Sequence, residues 1–134
     1  MRVVIDTNIL FSALNPKSRY YPIIENFRSE RFSLLVSTAI LLEYEEILQR
    51  VFPERLLEHF WIFLLTSENV FFISPAFRFQ LPFADGDDKK SVDCAVCGNA
   101  GFLITNDRHF NILKNIEFPK LEVVKAEDFI RKYL

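Results

Sequence analysis

Short unbroken apolar runs alternate along the chain with longer stretches of helical period. Val3-Val4-Ile5 is a β-branched run with no polar alternation, the pattern of a strand covered on both faces of a parallel sheet. Such a strand belongs in the middle of the sheet. After a turn at Pro16, Lys17 and Ser18, the apolar groups Tyr20, Ile23, Ile24 and Phe27 predict a helix over 20–30. A second strand is expected at 32–36, ending at Ser37 and Thr38, which can cap a helix over 39–51 whose Ile40, Tyr44, Ile47, Leu48 and Val51 share one face. Pro53 opens another helix, 54–66, with Leu56, Leu57, Phe60, Phe63 and Leu64 on its buried side. A third strand follows at 70–73. Pro75, Pro82, Gly86 and the run Phe77-Arg78-Phe79 read as a loop over 74–88. A helix over 89–99 is broken at Gly101, then come a strand at 102–104, another at 121–124 and a closing helix at 126–134.

Strands separated by helices imply right-handed crossovers and an α/β fold, a parallel sheet with helices on both faces. The 134 residues fit a single domain, 1–134. Half of them are apolar, with 15 Phe, enough for two helical layers and a self-association surface. The net charge of −2 excludes holding a nucleic acid by bulk positive charge, so such a contact must use local basic residues or bound metal. The sequence opens on the first strand without a charged and apolar leader pattern, so no leader is expected, and the longest apolar run, 60–65, is too short to cross a bilayer. A cytoplasmic protein without membrane contact is expected. Cys94 and Cys97 supply only half the ligands of a structural zinc site; they read as reduced thiols one turn apart on a helix. His59 and His109 do not suggest a zinc pair.

Candidate chemistry lies in the acids. Asp6 follows the first strand and Asp107 follows the fourth, so two carboxylates from distant parts of the chain come to one edge of the sheet, where α/β proteins bind ligands. Asp6 alone would serve equally well as a helix cap. Glu43 falls on the border of an apolar helix face, whereas Glu45 and Glu46 point away from it. Asp93 lies beside the expected packing residues Val92 and Val96, inside its helix rather than at its start, while one of Asp85, Asp87 and Asp88 is suited to cap that helix. Asp6, Glu43, Asp93 and Asp107 can therefore converge on one crevice. Like charges so close need a cation. An all-oxygen donor set favours Mg²⁺ or Mn²⁺, which suits phosphodiester hydrolysis. No P-loop, GxGxxG or GxSxG offers a competing chemistry.

Asp6-Thr7-Asn8, Leu42-Glu43-Tyr44-Glu45-Glu46-Ile47-Leu48, the stretch from Asp87-Asp88 through Asp93-Cys94-Ala95, and Leu103-Ile104-Thr105-Asn106-Asp107 resemble, in type and order, the motifs of PIN-domain nucleases. The resemblance covers essentially the whole chain and is strongest to the VapC toxins of bacterial toxin–antitoxin pairs. It implies a three-layer α/β/α sandwich around a five-stranded parallel sheet and metal-dependent endoribonuclease activity on RNA. It also implies a homodimer and a cognate antitoxin that blocks the site. Carried across by position, Asp6, Glu43, Asp93 and Asp107 become the catalytic, metal-binding acids, and Asn8 and Thr105 would orient water, phosphate or those carboxylates. Asp88 is a further acid, and the choice among Asp85, Asp87 and Asp88 stays open. Lys89, Lys90 and Arg108, with Lys17 and Arg19, are the candidates for phosphate contact; Phe60, Trp61 and Phe63 are those for a dimer face. Two other classes compete. One is a catalytically weak PIN-like module that binds RNA or protein. The other is a phosphatase of the haloacid-dehalogenase type with Asp6 as covalent nucleophile, although the second Asp usual two residues on is here Asn8.

Overall fold

The computed structural model describes residues 1–74, 86–110 and 121–134, without the side chains of 86–88. Its strands are β1 (Arg2–Ile5), β2 (Ser33–Val36), β3 (Val70–Phe72), β4 (Phe102–Ile104) and β5 (Glu122–Val124). The described helices are α1 (Thr7–Ala13), α2 (Tyr21–Arg28), α3 (Thr38–Leu48), α4 (Glu54–Thr66), α5 (Gly86–Cys97) and α6 (Ala126–Tyr133). All strand pairs are parallel, in the order β3-β2-β1-β4-β5. This is the expected three-layer α/β/α sandwich, with β1 at its centre. Val3, Val4 and Ile5 are at most 2% exposed, so an unbroken apolar run is what that position requires. From β1 the chain steps outward through β2 to β3, then returns to the other side of β1 for β4 and β5. The direction of winding therefore reverses between β1 and β4, and at such a switch point the loops diverge and leave a crevice at the carboxyl ends of the strands.

Aromatic packing fills much of the core. Phe27 meets Phe63 edge to face at 5.6 Å and Phe32 meets Phe129 at 5.5 Å, geometries that match the positive edge of one ring to the negative face of the next. The first contact joins α2 to α4 and the second joins α6 to the residue before β2, and together they account for part of the phenylalanine content. Ser37 caps α3 as expected, its hydroxyl accepting from the Ile40 N–H at 3.2 Å. Among the described residues no helix is long and apolar enough to cross a membrane.

Several local expectations differ from the structure. Residues 7–13, for which the sequence predicts no element, form α1, which buries Thr7, Ile9, Leu10 and Ala13; one polar-led pair of turns is too short to show a helical period. The segment 86–88, assigned to the loop, is the first turn of α5, where acidic residue types suit the positive end of the helix dipole. The rest of that loop, 75–85, lies outside the described residues. On α4, Leu56 is exposed while Phe60 and Leu64 are buried, so Phe60 belongs to the core rather than to a dimer face, and the helix shows solvent Leu56, Ile62 and Leu65. Val51, beyond the end of α3, is also exposed. In α5 every residue from Ser91 to Ala95 is buried, because the helix touches α3 as well as β1, β2 and β4. Cys94 and Cys97 are free thiols, and burial pushes the Cys94 thiol up to about 12.

The close approach of α5 to the sheet depends on Gly98. A Cβ there would lie 2.7 Å from Leu35 Cδ1, 2.9 Å from the Cys94 carbonyl oxygen and 3.0 Å from Ile73 Cγ1. Gly98→Ala is expected to lower stability by about 1–3 kcal/mol through overpacking, measured by urea denaturation. A variant as stable as the parent would mean that α5 shifts freely on the sheet.

Candidate functional site

Strand register builds the site. Ile5 pairs with Ile104, and the Asp6 N–H donates to the Ile104 carbonyl at 2.9 Å. Asp6 and Thr105 therefore leave the sheet side by side at the winding switch. The Thr105 hydroxyl donates to Asp6 Oδ2 at 2.7 Å and accepts from the Asp107 N–H at 3.0 Å. One buried side chain, 2% exposed, thus holds a carboxylate from β1 and the backbone of the acid after β4. Asp107 Oδ1 accepts from the His109 N–H at 2.9 Å, which turns the chain back on itself.

Asp6 occupies the cap position of α1 but makes no side-chain capping bond; its carboxylate is committed to Thr105. Burial raises its pKa above the ordinary 3.8, and the charge of Asp107 acts in the same direction; the Thr105 hydroxyl and the amides of Thr7 and Asn8 lower it without cancelling that rise. Beneath it, fully buried Tyr44 donates its hydroxyl to the Ile5 carbonyl at 3.0 Å. Burial pushes the phenol well above its ordinary range, and Cys94, Asp6 and Glu43 push the same way. Tyr44 stays neutral and props the exit of β1.

Glu43 stands beside Tyr44 on α3, its side chain 21% exposed and its Oε2 3.9 Å from Lys90 Nζ on α5. Asp93, one turn further along α5, is 5% exposed. The structure brings Asp6 and Asp107 together and links Glu43 to α5 through Lys90. Among the described residues it does not gather three or more of the acids into one ready-made metal group. Two carboxylates in a crevice nevertheless fit a hard cation, because Mg²⁺ takes few protein oxygens and fills its octahedron with waters and substrate phosphate. The raised pKa of Asp6 is the electrostatic condition that a cation relieves. Of the other candidates, Asn8 is exposed in the first turn of α1, Lys89 is half-buried, and Lys17, Arg19 and Arg108 are exposed. Asp85 and the side chains of Asp87 and Asp88 lie outside the described residues. His59 on α4 lies apart from the acids, in an apolar groove of about 770 Å³ that also includes Phe11, Phe60 and Phe63.

Two residues escaped the sequence reading. Tyr44 counted there only as an apolar position, and the signal was its polar tip next to Glu43. Asn106, between Thr105 and Asp107, donates from Nδ2 to the Tyr20 hydroxyl and accepts at Oδ1 from the Ala126 N–H, both at 3.1 Å. It fastens the starts of α2 and α6 to the end of β4.

Fold and site together define an α/β domain with paired acids at its switch point. The PIN domain family matches residues 2–109, from the start of β1 to just beyond Asp107. The chain belongs to this family, whose members are generally nucleases. Among solved structures it is similar to a chain in the crystal structure of VapBC2 from Rickettsia felis bound to a DNA fragment from their promoter. The match has a TM-score of 0.63 and 15% identity, and covers 93% of this chain and 98% of that one. At that identity the likeness speaks for the fold. No curated protein matches significantly.

Asp6 should carry a stability cost. Its folded pKa is raised, so folding favours the protonated form, and the penalty grows as pH rises from 3.8 through the folded value. Asp6→Asn keeps an oxygen for Thr105 and removes the charge. In metal-free buffer the variant is expected to melt above the parent at neutral pH, with the difference vanishing below about pH 3.5, as read by thermal denaturation across pH. A variant that melts lower at neutral pH would contradict the electrostatic account.

Proposed function

We propose that this protein is a Mg²⁺- or Mn²⁺-dependent endoribonuclease and the toxin of a toxin–antitoxin pair. The observation that carries the reading is the pairing of Asp6 and Asp107 through Thr105 at the switch point. Asp6 and Asp107, with Glu43 and Asp93 nearby, would hold the cation. When bound, the ion supplies a lowered pKa for an attacking water and neutralises charge on the phosphodiester. Thr105 fixes one oxygen of Asp6, so the carboxylate meets its ligand already oriented. Asn8, in the first turn of α1, would orient water or phosphate, and Lys89, Lys90 and Arg108 would offset the charge of the RNA backbone. Such a protein works in the cytoplasm.

The solved neighbour, VapBC2 on promoter DNA, supports an antitoxin partner. The apolar groove lined by Phe11, Leu14, Ile24, Phe52, Phe60 and Phe63 offers surface for a protein to bury, and exposed Ile62 and Leu65 on α4 suit a homodimer contact. A second reading, a weakly catalytic module that binds RNA or protein, draws on the Lys90 ammonium beside Glu43, a fixed positive charge in the row of acids.

The test is cleavage of a mixed panel of structured and single-stranded RNAs by purified protein with Mg²⁺ or Mn²⁺, alongside an EDTA control and Asp6→Asn. Metal-dependent cutting that falls at least about a hundredfold in the variant is the expected result. Equal cutting by the variant would remove Asp6 from the mechanism, and RNA retained without turnover would favour the binding module.

A further inference from the structure

The turn ahead of α2 ties the Tyr20 hydroxyl to Asn106, just beyond β4 and next to Asp107 in the chain, and sets the Arg19 guanidinium against the Tyr20 ring. The Tyr20 hydroxyl accepts from Asn106 Nδ2 at 3.1 Å and from Arg19 Nη2 at 2.9 Å. The Asn106 amide is oriented independently, because its Oδ1 accepts from the Ala126 N–H at 3.1 Å and only its NH₂ remains to face the phenol. The Arg19 guanidinium lies 5.0 Å from the Tyr20 ring centroid, within cation–π range, and the Tyr20 N–H donates to Ser18 Oγ at 3.1 Å. Ring and guanidinium are therefore held in place. Arg19 is exposed and, among the described residues, has no acidic partner.

Among the described residues two features are left without a partner. One is the solvent-exposed face of the Arg19 guanidinium, which lies 5.0 Å from the ring centroid and is tethered to the ring's hydroxyl. The second is the Tyr20 hydroxyl proton: a phenol oxygen has two lone pairs and one proton, and Asn106 and Arg19 occupy the lone pairs. Resting on the reading of the crevice as a ribonuclease site, we infer that Arg19 and Tyr20 form a stacking platform for one base of single-stranded RNA next to the bond that is cut. The Tyr20 hydroxyl donates to a phosphate or sugar oxygen of the same nucleotide. Unpaired bases splay onto aromatic and guanidinium planes, and a chain with a net charge of −2 must bind RNA through such local contacts. Arg19 thus acts as a flat surface rather than as a point charge on phosphate, and Asn106 is the positioning residue that sets the platform one position from Asp107.

The test measures binding of a fluorescein-labelled single-stranded RNA to the full chain in Ca²⁺ by anisotropy. A series of the same RNA carries an abasic nucleotide at each position in turn, and cleavage in Mn²⁺ is followed in parallel. Arg19→Ala is expected to raise Kd at least about fivefold, Arg19→Lys to fail to restore it, and Tyr20→Phe to give a smaller loss. The parent should lose a similar factor at one abasic position to which Arg19→Ala is indifferent. Lysine restoring full affinity, or Arg19→Ala keeping the parent's abasic penalty, would overturn the platform while leaving cleavage by the parent untouched. The expected binding losses without any cleavage would uphold the platform and remove the nuclease reading. A parent that binds no RNA would remove the platform.

Discussion

One hydroxyl joins the two central strands where the chemistry is placed. Thr105 gives its proton to Asp6 and receives the N–H of Asp107, an arrangement possible only because Ile5 and Ile104 are in register. A slip by one residue would turn every side chain of the strand to the opposite face and draw exposed Arg2 or the Asp6 carboxylate into places that fully buried Val3, Val4 and Leu103 now fill. The apolar core thus fixes the register, and the register delivers the acids. Chain winding does the rest, since the reversal between β1 and β4 opens the crevice at the place where Asp6 and Asp107 emerge.

The same packing makes Asp6 uncomfortable. Its carboxylate is partly withdrawn from water, faces the charge of Asp107, and is eased only in part by Thr105 and the first amides of α1. A domain selected for stability alone would place an amide there. Tyr44 adds rigidity without adding charge, because its buried hydroxyl is spent on the Ile5 carbonyl. A neutral prop under a strained anion keeps the carboxylate available for a cation. Functional sites commonly hold such tension against a well-packed frame.

Much of this was legible in the sequence. Val3-Val4-Ile5 marked the central strand, and acids after two apolar runs marked one edge of the sheet, since burial on both faces and strand ends leave a direct trace in residue type. Short or context-driven features left none. The helix α1 is too brief to show a period. The exposure of Leu56 on the otherwise buried side of α4 depends on tertiary contacts, and the burial of α5 from Ser91 to Ala95 comes from its neighbours. Tyr44, Tyr20 and Asn106 were hidden for another reason. Their roles rest largely on hydrogen bonds across long sequence separations, which no local spacing encodes.

The proposed chemistry depends on a cation held by Asp6 and Asp107 at the switch point. Paramagnetic line broadening by Mn²⁺ in the NMR spectrum of the isotope-labelled protein tests it most directly. The amide signals of Asp6, Thr7 and Asp107 should broaden first in the parent and persist in Asp6→Asn at the same Mn²⁺ concentration. Broadening that begins elsewhere, or that is the same in both proteins, would contradict the claim.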